Sequence, residues 1–310
     1  MSDINNVYYK PNITVKKNNS KSIMTPIDFI SGALAGITQV LVGQPFDIVK
    51  VRLQTSNTKT SIFKVIKEII ITEKIKGFYK GTSSPLIGMS FAVANQFAGF
   101  EMCKKMFRNM LKLEDYHTLP IIYIMLSGGF GGFLYSLIVC PMELFRIRLQ
   151  LQTKDTLIKY NSALHAAKDI YNNYGIKGCY KGYVPTLFRE VIGGIVYFGV
   201  YEHLVNAYSE IFNGRKNIPN TFILLFGAAS GFFLWLFVLP IDVVKSKIQG
   251  ADFIDTRYKY FLRTFNYHLY LHGYKGMFKG IFPTLIRAPI VNAASFLVYE
   301  KTSQYLNNKL

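Results

Sequence analysis

The sequence predicts an all-α membrane protein: six transmembrane helices in three pseudo-symmetric repeats, each repeat carrying one short amphipathic helix, all three on the same side of the bilayer. Three observations predict it. A charged phrase, Pro45-Phe46-Asp47-Ile48-Val49-Lys50-Val51-Arg52-Leu53-Gln54, returns from Pro141 to Gln150 and again from Pro240 to Gln249, at intervals of 96 and 99 residues. A second phrase, Lys76-Gly77-Phe78-Tyr79-Lys80-Gly81, returns in register as Lys177-Gly178-Cys179-Tyr180-Lys181-Gly182 and Lys275-Gly276-Met277-Phe278-Lys279-Gly280. A repeat of this length marks equivalent structural units. Third, 50% of the 310 residues are hydrophobic and only 17% are charged, where a soluble domain carries about 25% charged residues.

Taken in order, residues 1–24 form a polar tail with Lys10, Lys16, Lys17 and Lys21 and no apolar core, so they do not read as a secretory signal. Repeat 1 then spans 25–114, repeat 2 115–212 and repeat 3 213–310. Apolar stretches run at 26–45, 84–100, 121–141, 184–200, 221–240 and 282–298. Each is broken by glycine or charge, yet with its flanking phrase reaches the roughly 20 residues a span needs. Helices that tolerate a polar face in a membrane surround water or one another, so the bundle should enclose a cavity. Between the two spans of each repeat, segments 62–70, 162–172 and 259–271 have the mixed periodicity of helices lying at an interface. The odd-numbered spans carry Gly32 and Gly36, Gly128 and Gly132, and Gly227 and Gly231 at matching places. Small residues four apart let backbones approach closely, and their recurrence predicts packing between repeats.

The formal net charge of +18 fits anionic lipid or an anionic solute. The lysines lie between apolar runs, and no zinc-finger spacing, helix-turn-helix or RNA-binding strand motif accompanies them, so nucleic acid is not an expected partner. Cys103, Cys140 and Cys179 have no paired spacing, and His268 and His272 lack a nearby third ligand; neither a disulfide framework nor a metal site is expected. No cofactor is implied, and no nucleophile–base pair marks an enzyme. A structural or receptor protein of the membrane is the alternative from another class.

The charged phrase carries the chemistry. Pro45, Pro141 and Pro240 fall inside long helices, where a missing N–H and a ring clash produce a bend. Just beyond each proline an acid and a base stand three apart on one helix face: Asp47 and Lys50, Glu143 and Arg146, Asp242 and Lys245. Three-fold placement would let each acid meet a base of the next repeat and close the cavity at one end. Gln54, Gln150 and Gln249 lie where they could brace those pairs. At the opposite end Phe100-Glu101, Tyr201-Glu202 and Tyr299-Glu300 recur, but only the first is followed three residues later by a base, Lys104. A second closure would therefore rest on one pair, Lys104 with Glu300, and the two closed states should be unequally held.

These phrases resemble those of the mitochondrial carrier family, whose signature is a proline followed by an acid and two bases at this spacing, with a glycine phrase some twenty to thirty residues on. The resemblance covers the chain from residue 25 to its end. It implies a monomeric, multi-pass transporter of the mitochondrial inner membrane, with the proline-linked ring and the short helices on the matrix side, the Glu101, Glu202 and Glu300 level on the cytoplasmic side, and exchange of solutes by alternating access. An anionic phospholipid, cardiolipin, is the expected lipid partner. Lys76, Lys177 and Lys275 stand where many members have an acid.

Counting 13 residues back from Glu101, Glu202 and Glu300 reaches Gly88, Arg189 and Arg287, at one depth about 20 Å along the helices. These positions resemble the family's substrate contact points. Arg189 and Arg287 can clamp a carboxylate, the adjacent Glu190 can pair with an amine, and Trp235 can receive an ammonium if it faces the cavity. The Arg-Glu pair and Trp235 resemble the branch of basic amino acid and carnitine/acylcarnitine carriers, so the expected solute is a small carboxylate-containing metabolite, an amino acid or a carnitine-like zwitterion. A nucleotide or a di- or tricarboxylate is the alternative within the family.

Overall fold

A computed structural model describes residues 26–56, 60–113, 119–152, 160–212 and 214–307; the N-terminal tail predicted for residues 1–24 lies outside them. Six long helices and three shorter ones follow one another as the repeat pattern requires. Repeat 1 contributes α1 (Pro26–Thr55), α2 (Ile62–Glu73) and α3 (Ser83–Met110); repeat 2 contributes α4 (Ile121–Gln150), α5 (Ala163–Cys179) and α6 (Tyr183–Ile211); repeat 3 contributes α7 (Asn220–Gly250), α8 (Phe261–Met277) and α9 (Ile281–Asn307).

The long helices are uninterrupted through Pro45, Pro141 and Pro240, so the charged phrases form the last turns of α1, α4 and α7. Pro85, Pro185 and Pro283 occupy the first turns of α3, α6 and α9, where no helical N–H is sacrificed. Helices α1, α4, α7 and α9 are long and apolar enough to cross a membrane by composition alone. Helices α3 and α6 have the length, at 28 and 29 residues, but carry polar residues inward; Asn95 Nδ2 of α3, for instance, donates to the Leu134 carbonyl of α4 at 2.9 Å.

Helix α3 packs on α4, α4 on α6, α6 on α7, and α1 on α9, while α1 also meets α4 and α7. Each short helix packs on the odd helix of its own repeat through apolar residues: Val65 and Ile69 on Ile48, Val49 and Leu53; Ile170 and Cys179 on Leu144; Met277 on Val244 and Ile248. The short helix of each repeat then turns into the next span through a glycine of positive φ: Gly81 at 77°, Gly182 at 81° and Gly280 at 87°.

The glycine-bearing stretches do not behave alike. A Cβ on Gly128 or Gly132 would strike the backbone oxygens of Gly194 and Glu190 on α6, and one on Gly131 would meet the Gln96 oxygen of α3. Around Gly32, Gly36 and Gly231, by contrast, the space is open. Close inter-repeat packing thus occurs at Gly131, with a looser approach at Gly227, where a Cβ would lie 3.9 Å from the Tyr197 hydroxyl; Gly128 and Gly132 serve the pairing of α4 with α6 inside one repeat. Sequence equivalence fixed the composition of these stretches, while the local helix spacing decided which of them touch.

Backbone conformation also corrects the register of the glycine phrase. Lys74, Gly175 and Gly273 share φ near +60°, so the residues just before them, Glu73, Tyr174 and His272, occupy one equivalent place. The acid of that phrase is retained as Glu73 in repeat 1 alone, and Lys76, Lys177 and Lys275 lie three residues further on.

Candidate functional site

A cavity of about 460 Å³ lies at the axis of the bundle, lined by residues of all six long helices. At its base the three charged phrases converge, and each acid meets the base of the next repeat. Asp47 lies 2.7 Å from Arg146, Asp242 lies 2.7 Å from Lys50, and Glu143 pairs with Lys245. The three pairs join repeats 1 to 2, 3 to 1 and 2 to 3. Asp242 and Lys245 are nearly inaccessible, at 3% and 1% side-chain exposure. Buried pairs of this kind recover through Coulomb attraction what they lose in desolvation, so they fix geometry more than they add stability.

The glutamines divide. Gln54 Nε2 donates to Asp242 Oδ2 at 2.9 Å while its Oε1 accepts from Ser246 Oγ at 2.8 Å, so it braces one pair directly. Gln249 turns away from the ring to the carbonyls of Cys140 and Lys181, both at 3.4 Å. Gln150 is fully buried, and neither its Oε1 nor its Nε2 has a partner among the described residues. The turn glycine of the preceding repeat lies against the glutamine in all three cases, Gly81 at Gln150, Gly182 at Gln249 and Gly280 at Gln54, so this packing does not set Gln54 apart; the Asp242 carboxylate and Ser246 hydroxyl within its reach do. The brace missed by sequence reasoning is Gln44, whose Oε1 accepts from Arg146 Nη2 at 2.6 Å and whose Nε2 donates to the Lys80 carbonyl at 2.7 Å. It precedes Pro45, but Cys140 and Leu239 precede the other two prolines, so no repeat pattern announces it.

Above the ring stand Arg189, Glu190, Trp235 and Arg287, all lining the cavity. Arg189 is bonded to three carboxylates: Glu190 through Nε at 2.8 Å, Asp242 through Nη1 at 2.9 Å, and Glu143 through Nη2 at 3.0 Å. Arg287 lies 2.9 Å from Asp47, in the hollow left by Gly43, where a Cβ would stand 2.9 Å from its Nη2. Trp235 faces inward, with the Lys50 ammonium 4.1 Å from its ring centre. Gly88 is not among the lining residues; the Met142 side chain covers it, because the end of that thioether fills the place a Cβ would take. Equal depth along a helix does not give equal access when a flexible neighbour lies between.

Charge at this site is unbalanced. The cavity is lined by the cations Lys50, Arg146, Arg189, Lys245 and Arg287 against the carboxylates Asp47, Glu143, Glu190 and Asp242. One positive charge remains for a ligand to neutralise.

At the opposite end, Lys104 Nζ bonds Glu101 of its own helix at 2.9 Å and lies over the Phe100 ring; the side chain of Glu300, its expected partner, lies outside the described residues. Glu202 is held by Arg215, at 2.7 Å, from the segment leading into α7. His268 and His272 stack at 4.4 Å, and His268 contacts the Gly276 carbonyl at 3.3 Å; among the described residues no group of three metal-ligating side chains occurs.

Comparison with known proteins supplies the relatives. The profile of a family described as mitochondrial carrier protein matches residues 21–111, 117–211 and 217–310. The chain is 39% identical to the glutamate/glycine mitochondrial carrier ymc1 of Schizosaccharomyces pombe over 91% of this chain and 95% of that protein. It is 38% identical to the mitochondrial glycine transporter YMC1 of Saccharomyces cerevisiae over 90% and 91% of the two chains. With the mitochondrial basic amino acids transporter of Homo sapiens it shares 36% identity over 87% of each.

Proposed function

We propose a cargo for this chain, which belongs to the mitochondrial carrier family: a small amino acid, bound by its carboxylate and ammonium ends and exchanged across the membrane by alternating access. The protein is a multi-pass carrier of the mitochondrial inner membrane that binds small-molecule metabolites. The finer reading is that it works as a monomer with cardiolipin as lipid partner, catalyses no reaction, and uses the acid–base ring as its matrix gate.

One observation carries the substrate class. Every group suited to a solute's polar ends is already engaged with the ring: Arg189 with Glu143 and Asp242, Arg287 with Asp47, and Trp235 with Lys50. A carboxylate taken by the two arginines competes with the ring's acids, and an ammonium taken by Trp235 and Glu190 competes with Lys50. Binding both ends therefore weakens the ring, which is the differential affinity that drives a change of state. The surplus positive charge favours solutes with a carboxylate over dications. The relatives' names, glutamate/glycine, glycine and basic amino acids, lie within this class.

The test is flux in liposomes holding the purified protein, with labelled glycine, glutamate, arginine, carnitine, nucleotides and di- and tricarboxylates in homo-exchange and net-uptake modes. Amino acid exchange that Arg287→Ala abolishes in a folded protein is expected. Nucleotide or tricarboxylate exchange with no amino acid flux would contradict the reading.

A further inference from the structure

Beyond the acid–base ring, each seam between repeats holds a second set of cations, and their acceptors are backbone atoms. From repeat 1, Arg52 Nε donates to the Gln150 carbonyl at 3.2 Å and Lys80 Nζ to the Gln152 carbonyl at 2.8 Å. From repeat 2, Lys181 Nζ donates to the carbonyls of Ala251 and Asp252 at 2.5 and 2.9 Å, and Arg148 donates to the Ala251 carbonyl as well. From repeat 3, Lys279 and Lys247 reach the Ser56 carbonyl at 3.4 and 3.5 Å. The acceptors lie at or just past the ends of α4, α7 and α1. Repeat 1 thus grips repeat 2, repeat 2 grips repeat 3, and repeat 3 grips repeat 1, around a closed circle.

Helix C-termini suit this role. Their last carbonyls lack intrahelical donors and carry the negative end of the macrodipole, so a cation placed there is favoured. No acid is needed on the receiving side. The donors are held for the purpose in the first two seams: Glu73 binds both Arg52 and Lys80 at 2.7 Å, and the Phe253 ring lies under both Arg148 and Lys181, at 4.9 and 4.6 Å, with Arg148 also 3.5 Å from the Asp252 carboxylate. In the third seam the cation-to-carbonyl distances are the longest, at 3.4 and 3.5 Å.

We propose that these six cations form a second lock on the closed end, built on neighbouring helix C-termini, and that the seam between repeats 3 and 1 parts first. The lock rests on the alternating-access reading above. Opening the cavity at this end requires α1, α4 and α7 to separate, and each separation breaks one acid–base pair and at least two cation-to-carbonyl contacts together. The lysines touch neither cavity nor solute, so they set how often the end opens, not what binds.

The experiment uses the full chain in liposomes with Cys103, Cys140 and Cys179 replaced by serine and Val51→Cys as reporter; Val51 lines the cavity near the ring and is 8% exposed. A membrane-impermeant maleimide is presented from the side of the short helices. Combining Lys80→Met, Lys181→Met and Lys279→Met should speed labelling at least about tenfold without solute, since charge-assisted bonds are lost at every seam. The corresponding arginine variant, which keeps charge and donors, should stay within about twofold of the parent. An unchanged labelling rate overturns the proposal, and so does a lowered thermal midpoint with unchanged labelling, because that marks a role in folding alone. Should the triple variant not fold, Lys279→Met alone carries the test: labelling faster than in Lys80→Met alone is expected, and equal or slower labelling overturns the order of opening. Labelling reads closure with no solute present, so a lock that responds in a protein without amino acid flux would sink the transport reading and leave this one standing.

Discussion

Arg189 holds three carboxylates at once inside the bundle, and its removal would leave Glu143, Glu190 and Asp242 short of positive charge where water cannot replace it. Loss of one partner of a buried ionic cluster costs about 3–5 kcal/mol. Arg189→Gln should therefore lower thermal stability as well as abolish exchange, whereas Arg287→Ala, at a residue 32% exposed with Arg146 left on Asp47, should abolish exchange with little loss of stability. Differential scanning fluorimetry beside liposome flux separates the two.

Lys74 offers the opposite case. It holds φ 58° and ψ −162° where its counterparts are Gly175 and Gly273, a conformation that costs a residue with a side chain about 1–3 kcal/mol. Glycine recovers that strain but loses about 0.5–1 kcal/mol through its freer unfolded chain. Lys74→Gly should stabilise by about 1 kcal/mol, seen as a small rise in thermal midpoint. His268, on α8 outside the spanning helices, has its pKa pushed from 6.5 down to about 4, chiefly by burial. The unfolded chain then binds more protons between those values, so this contribution is complete above about pH 6.5 and is lost as pH falls toward 4. Replacing His268 with Gln should flatten that part of the pH–stability profile.

At the scale of elements, the turn glycines couple each short helix to the next repeat. Gly182 combines φ 81° with a Cβ position 2.8 Å from Gln249 Cγ, so Gly182→Ala meets both backbone strain and overpacking and should cost about 2–4 kcal/mol by denaturant or thermal unfolding. Helices, repeats and short amphipathic segments were legible in the sequence because composition and spacing repeat with the period of the fold. Contacts that depend on the partner's backbone were not. Nothing in the residues around Gln152, Ala251 or Ser56 records that a lysine arrives there, and nothing near Gly88 records that Met142 covers it. The acid–base partners lie in repeated side chains of opposite charge, which is why their neighbours could be read, while Gln150 and Gln249 sit in surroundings unlike those that give Gln54 its Asp242 and Ser246 partners.

At the scale of the whole molecule, inter-repeat charge is concentrated at one end. Three acid–base pairs join the repeats there, whereas at the other end, among the described residues, Glu101 pairs within its helix and one pair, Glu202 with Arg215 at the start of repeat 3, crosses a repeat boundary. Without solute the population should favour closure at the ring end, and chemically locking each state and measuring its share would reveal the imbalance. A solute carboxylate that draws Arg189 and Arg287 away from the ring's acids reduces that preference, so substrate should raise the labelling rate of Val51→Cys from the ring side.

The central claim is that acids and bases of neighbouring repeats close the cavity together, and a double-mutant cycle on Asp47→Asn and Arg146→Gln tests it most directly, read as the solute-free labelling rate of Val51→Cys. Groups that form one closure should show an interaction energy of about 1 kcal/mol or more, the second substitution adding little once the first has broken the pair. Effects that add to within about 0.3 kcal/mol would mean that the two charges act independently, and the ring would not be the gate.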